Sequence, residues 1–159
     1  MVFVECNADE ALISALGVGK REIRHSHSKG NVCRALQKSC NAIGLLDEDP
    51  CSAQPSYLEG LNLLVNEGKI RILYDLGRQN CVIILCPRLE EWVLEAARTS
   101  KMLTEKYGLP RKPDELHEAL SSSNKRKALQ NLIKELEIKS RKVKRLKGYL
   151  NHGCIPMKS

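Results

Sequence analysis

Three acids close a short apolar run: Asp47, Glu48 and Asp49 follow Ala42-Ile43-Gly44-Leu45-Leu46, and Pro50 ends the stretch. Such a run, bounded by turn signals, predicts a buried strand over Ala42 to Asp47. Carboxylates crowded at a strand end repel one another, and a hard divalent cation held through oxygen ligands relieves that repulsion. Asp47 and Asp49 are one residue apart, so both reach one ion if the chain leaves strand geometry after Asp47. The alternative is a solvated acidic loop. A second acid, Glu5, ends the short apolar run Val2-Phe3-Val4.

The elements that must position these acids can be read in order. Asn7 or Asp9 caps a helix with Ala11, Leu12, Ala15 and Leu16 on its apolar face, closed by Gly17. A weakly alternating strand follows over Glu22 to His27, then a polar turn at Ser28-Lys29-Gly30-Asn31 and a helix over Val32 to Cys40. Strand, helix, strand, helix, strand in fewer than fifty residues predicts right-handed crossovers and a largely parallel sheet. Ligands bind outside the carboxyl ends of such strands, where Glu5 and the Asp47–Asp49 cluster both fall. A helical turn is expected from Tyr57 to Val65. Strands over Lys69 to Asp75 and Cys81 to Cys86 are expected as a hairpin, giving the sheet an antiparallel edge. Leu89 to Lys106 reads as a helix with Trp92, Val93, Ala96 and Ala97 at core spacing. Glu90 and Glu91 in its first turn suit the helix dipole whatever else they do.

Gly108, Pro110 and Pro113 punctuate a linker. The expected organisation is an α/β domain over residues 1–107 and a basic helical extension over residues 113–151. Helices are expected over Pro113 to Leu120, Asn124 to Glu137 and Ser140 to Leu150, with residues 152–159 fraying. Charge is divided unevenly: residues 1–98 hold 11 Lys/Arg against 13 Asp/Glu, and residues 99–159 hold 15 against 6. An acidic front half suits a cation-handling site and a basic tail suits phosphates, with Lys142, Lys144, Arg145 and Lys147 as candidate nucleic-acid contacts. A lysine-rich solvated surface gives the same count. Aromatics make up 4% of the chain, so no base-stacking platform is evident.

The seven scattered cysteines include no Cys-x-x-Cys pair. Reduced, mostly buried thiols in a cytoplasmic protein are expected, with no signal peptide and no membrane span. His25, His27 and Cys33 match no standard zinc spacing.

A strand ending in glutamate, a helix and a later strand ending in Asp-x-Asp resemble the Toprim domain. That domain is the catalytic module of topoisomerases, bacterial primases, OLD-type nucleases and recombination mediators. Val2-Phe3-Val4-Glu5 resembles its glutamate strand, and Leu45-Leu46-Asp47-Glu48-Asp49 resembles its Asp-x-Asp strand. Leu89-Glu90-Glu91-Trp92 is similar to the Glu-x-Trp helix start of small stand-alone Toprim-like proteins. The resemblance covers residues 1–98 and implies a Toprim/Rossmann-like mostly parallel sheet flanked by helices. It implies a phosphodiesterase or nuclease using Mg²⁺ or Mn²⁺, with Asp47, Asp49 and Glu90 as metal ligands and Glu5 as general acid/base. Lys29, or Lys20 and Arg21, are candidate phosphate contacts. Where Toprim domains carry glycine after the glutamate this chain has Cys6, and Pro50-Cys51-Ser52-Ala53 replaces a glycine-bearing turn after Asp-x-Asp. A second reading is therefore a non-catalytic module that binds nucleic acid or protein and keeps the acids as a vestigial or structural metal site. A receiver-like phosphoacceptor fits poorly: Glu5 lacks an acidic neighbour, and Pro87 follows the Cys81 to Cys86 strand. Neither topoisomerase nor primase activity is expected, since the further domains those activities need are not read in these 159 residues.

Overall fold

The computed structural model describes residues 1–154. The chain opens with β1 (Val2–Val4), α1 (Asn7–Ala15), β2 (Ile23–His25), α2 (Lys29–Gln37) and β3 (Ile43–Asp47). A 3-10 turn at Ser56–Gly60 leads into β4 (Asn62–Glu67), β5 (Ile70–Asp75) and β6 (Asn80–Leu85). Helices α3 (Leu89–Thr99), α4 (Pro113–Ala119), α5 (Ser123–Lys139) and α6 (Arg141–His152) follow. One six-stranded sheet has the order β2-β1-β3-β6-β5-β4. Its β2, β1, β3 and β6 are mutually parallel, while β5 and β4 add an antiparallel edge. The expected α/β architecture, a mostly parallel sheet with C-terminal helices, is the one observed.

Period-two alternation decides which face each strand residue serves. Leu45, Ile72, Ile83 and Leu85 join the cluster formed with α1, α3, α5 and α6. Their neighbours Leu46, Leu73, Val82 and Ile84 join Val32, Cys33 and Leu36 of α2 on the opposite face. Gly44 lets α2 sit close to the sheet: a Cβ there would lie 2.8 Å from Leu36 Cδ1 and 3.2 Å from Val32 Cγ1. Gly44→Val is expected to destabilise the protein by about 1–3 kcal/mol through overpacking. Urea unfolding checks this as a lower midpoint.

Several boundaries differ from those expected, for local reasons. Ser28 Oγ accepts the Asn31 N–H at 3.1 Å, so Lys29-Gly30-Asn31 is the first turn of α2 rather than a loop. The expected helical turn from Tyr57 to Val65 is confined to Ser56–Gly60, and Asn62–Glu67 forms the edge strand β4. That strand is largely exposed and its pairing with β5 shifts register between Leu63 and Val65, so it lacks a clean alternation. Helix α3 stops at Thr99 instead of reaching Lys106, because Lys101 turns the chain through a left-handed φ of 56°.

The helices beyond residue 113 do not stand apart. Leu129, Leu132, Ile133 and Leu136 of α5, with Val143 and Leu146 of α6, belong to the same cluster as Val4, Leu12 and Trp92. Their amphipathic faces complete the sheet's core instead of forming a second one. Cys81 and Cys154 are joined as a disulfide with Cα atoms 5.5 Å apart, which departs from the expectation of seven free thiols. Cys6, Cys33, Cys40, Cys51 and Cys86 are free. Among the described residues no helix is long and apolar enough to cross a membrane. His152 ends α6, and the expected fraying of residues 155–159 lies outside the described residues.

Candidate functional site

Parallel pairing puts the carboxyl ends of β1 and β3 side by side, with Val4 opposite Leu45, so Glu5 and Asp47 meet as expected. Helices α1 and α3 both start at this end of the sheet, and each uses a carboxylate to satisfy its free N–H groups. Asp9, inside the first turn of α1, accepts the N–H groups of Glu5 and Cys6 through Oδ2 at 3.1 and 3.2 Å. Asp47 Oδ1 accepts the Leu89 N–H at 2.9 Å at the start of α3. Cys6 is the N-cap residue of α1 in an extended conformation that needs no glycine.

Burial and mutual repulsion raise the proton affinity of these acids. Burial pushes Asp47 up to about 8, and the charges of Asp9, Glu90 and Glu5 add to it. Burial, then the charge of Glu5, pushes Asp9 up to about 7. Glu5 is also raised, mainly by burial, although the Asp47 backbone N–H and the Lys29 charge work against the shift. Glu90 is 3% exposed. Its Oε1 lies 2.8 Å from His117 Nδ1 of α4, and its Oε2 is buried without a partner.

The other expected site residues are more dispersed. Asp49 is exposed on the loop after β3 with a left-handed φ of 43°, and its N–H donates to the Pro87 carbonyl at 2.9 Å. Lys29 Nζ donates to the Glu48 carbonyl at 2.8 Å, so it braces the acidic loop from α2. In α6, Lys142 Nζ lies 5.0 Å from the Trp92 ring centroid and 3.9 Å from Glu95 Oε1. Burial lowers its pKa to about 8. Arg145 pairs with Glu67 and Lys147 with Glu137, while Lys144 is exposed. The four tail cations therefore do not form one free face.

Asp9 and His117 belong to the acidic centre and were not expected there. The spacing of Cys6 and Asp9 is that of an N-cap residue and the third helical position, where a carboxylate reaches back to the cap N–H groups. That spacing signals Asp9 as a helix start but not its neighbourhood with Asp47. Nothing in the local sequence links His117 to Glu90.

The donor chemistry is that of a hard divalent cation, all carboxylate oxygen, with Glu90 Oε2 buried and unbonded. Among the described residues, however, no three His, Cys, Asp or Glu side chains stand as a set that could hold a metal ion. Asp9, Asp47 and Glu90 each commit an oxygen to the bonds above. Clefts of about 350 and 610 Å³ lie elsewhere, along α3 and the α5–α6 corner, and are not lined by Glu5, Asp9, Asp47 or Asp49. No family model, curated protein or solved structure matches the chain.

Proposed function

We propose that the acidic centre serves a Mg²⁺- or Mn²⁺-dependent, Toprim-like phosphodiesterase or nuclease acting on nucleic acid. The observation that carries this is a concentration of carboxyl groups with no Lys or Arg partner. Glu5, Asp9, Asp47 and Glu90 converge at one end of the sheet, and among the described residues none has a Lys or Arg within ion-pair distance. In this reading Asp47, Asp49 and Glu90 hold the cation, and Glu90 Oε2 is already unbonded. A cation held there would screen the charge of a phosphodiester and of the oxygen that attacks or leaves. Glu5, with its raised proton affinity, is placed to exchange a proton with that oxygen. The N-termini of α1 and α3 favour an anion at the same place. Exposed Lys134, Lys139, Arg141 and Lys144 on α5 and α6 meet the nucleic-acid backbone. Five free thiols suit the reducing cytoplasm, while the Cys81–Cys154 bond favours an oxidising compartment.

A second reading, a non-catalytic module that binds nucleic acid or a protein partner, is favoured by the oxygens that Asp9, Asp47 and Glu90 already commit to helix N–H groups and His117. Thermal unfolding in Mg²⁺ and Mn²⁺ separates the two. At a cation concentration 100-fold above Kd, binding stabilises by about 2.7 kcal/mol. That corresponds to a Tm increase of roughly 5–10 °C for a chain of this size. The increase is expected in the wild type and absent in Asp47→Asn, whose amide oxygen can still accept the Leu89 N–H. Equal behaviour of the two proteins discards the metal site and leaves the binding module.

A further inference from the structure

A concentration of cations around a concavity lies away from the acids. Helices α5 and α6 are separated by Ser140 alone, which ends one and caps the other by accepting the Val143 N–H through Oγ at 3.3 Å. This corner, the β4–β5 turn and the end of α3 enclose a cleft of about 350 Å³. Four cations line it: Lys139, Arg141, Lys142 and Arg145. One acid, Glu67, stands among them and is already paired with Arg145.

These charges are crowded in a way that a purely solvated helix surface avoids. Lys139 and Arg141 are both exposed and flank Ser140, and neither has an ion-pair partner among the described residues. Lys142 adds a positive charge behind them, its Nζ buried without a hydrogen-bond partner, 3.9 Å from Glu95 Oε1 and turned on to Trp92. At the start of α6, the first N–H groups have no acceptor within the helix, and the helix dipole adds positive potential. Ser100 and Tyr149 contribute hydroxyl groups to the lining. Cations in a concave, partly enclosed wall attract an anion more strongly than the same cations spread over a convex surface.

We propose that this cleft is an anion subsite that takes a phosphate group, with Lys139 and Arg141 as its direct ligands and Lys142 and Arg145 supplying the surrounding field. It narrows the proposed nucleic-acid contact of the C-terminal helices to one place, and it does not depend on metal binding by the acids. The phosphate belongs either to the end of a strand or to an internal diester. The cleft recognises the chemistry they share.

The test is a calorimetric titration with pyrophosphate at low ionic strength in the presence of EDTA, which removes the acidic centre from the outcome. Wild type is expected to bind. Lys139→Ala/Arg141→Ala is expected to raise Kd at least tenfold, and Lys38→Ala/Lys106→Ala, with the same change in charge outside the cleft, to stay within about twofold. Both pairs are exposed, so neither variant threatens the fold. Absence of binding to wild type, or equal loss in the two variants, overturns the subsite. A 5′-phosphorylated oligonucleotide and its unphosphorylated twin then identify the source. Tighter binding of the phosphorylated strand, lost in Lys139→Ala/Arg141→Ala, assigns a terminal phosphate, and equal binding with the same loss assigns an internal diester. Oligonucleotide binding that both double variants retain removes the cleft while leaving nucleic-acid binding itself standing.

Discussion

Unfolding free energies measured from pH 5 to pH 8 in the absence of divalent cations are expected to fall as the pH rises. Asp47 and Asp9 titrate near 8 and 7 in the folded protein and near the ordinary Asp value of 3.8 in the unfolded chain. Between those values the folded state binds more protons than the unfolded state, so stability decreases with pH. The cost is absent below about pH 4 and essentially complete above about pH 8. Lys142 acts in the opposite direction higher up. Its pKa is lowered to about 8, so from there to the unfolded value of 10.5 stability rises with pH. The decline should therefore level off near pH 8, before the raised thiols of Cys6, Cys33 and Cys86 lower stability again above about pH 9. Asp47→Asn is expected to be more stable than wild type at pH 8 and similar to it at pH 5, because it removes a charge that only high pH uncovers. A flat profile in wild type would show that the acids are solvated and the cluster is open.

Asn80→Leu is expected to cost about 3–5 kcal/mol. Asn80 is fully buried at the start of β6. Its Oδ1 accepts the Ala42 N–H at 2.9 Å, and its Nδ2 donates to the Leu36 and Ser39 carbonyls at 2.8 and 3.1 Å. One amide thus joins the end of α2 to the beginning of β3 and β6. Leucine fills a similar space but strips the Ala42 N–H and the Ser39 carbonyl of this partner and leaves the Leu36 carbonyl only its bond from the Ser39 N–H. Urea titration reads the loss as a lower midpoint at unchanged slope. Asn80→Asp keeps the acceptor, loses both donor bonds and buries a charge, so it should be at least as damaging. A cost below about 1 kcal/mol for either variant would show that water or local rearrangement replaces the bracket.

The strands that carry the site were legible because they are short, apolar and terminated by acids. Val2 to Glu5 and Ala42 to Asp47 announce both their burial and their ends. The hairpin of β5 and β6 was equally plain, since Leu76-Gly77-Arg78-Gln79-Asn80 supplies turn chemistry between two β-rich runs. β4 was not legible, because an edge strand with most of its residues exposed has no hydrophobic period to read. Asp9 and His117 were hidden for a different reason. Each is an ordinary helical residue whose importance comes from what a distant segment brings to it, and local pattern carries no record of that. The tertiary contacts of Lys142, Arg145 and Lys147 were not legible either: charge composition counts cations, whereas packing against Trp92 and pairing with Glu67 and Glu137 depend on tertiary placement.

The packing of α5 over α1 imposes an order on synthesis. Gln130 Nε2 donates to the Ala11 carbonyl across 119 residues of chain, and the apolar sides of these two helices share one cluster. At roughly 5–20 residues per second, a ribosome takes about 6–24 s to travel from one to the other. During that interval the sheet and α1 have left the ribosome while Leu12 and Ile13 still lack the helix that covers them. The nascent chain is a sticky intermediate until α5 emerges, and contacts of such long range also slow folding of the released protein. Chaperone demand should therefore peak late in translation, after the sheet is complete and before α5 docks.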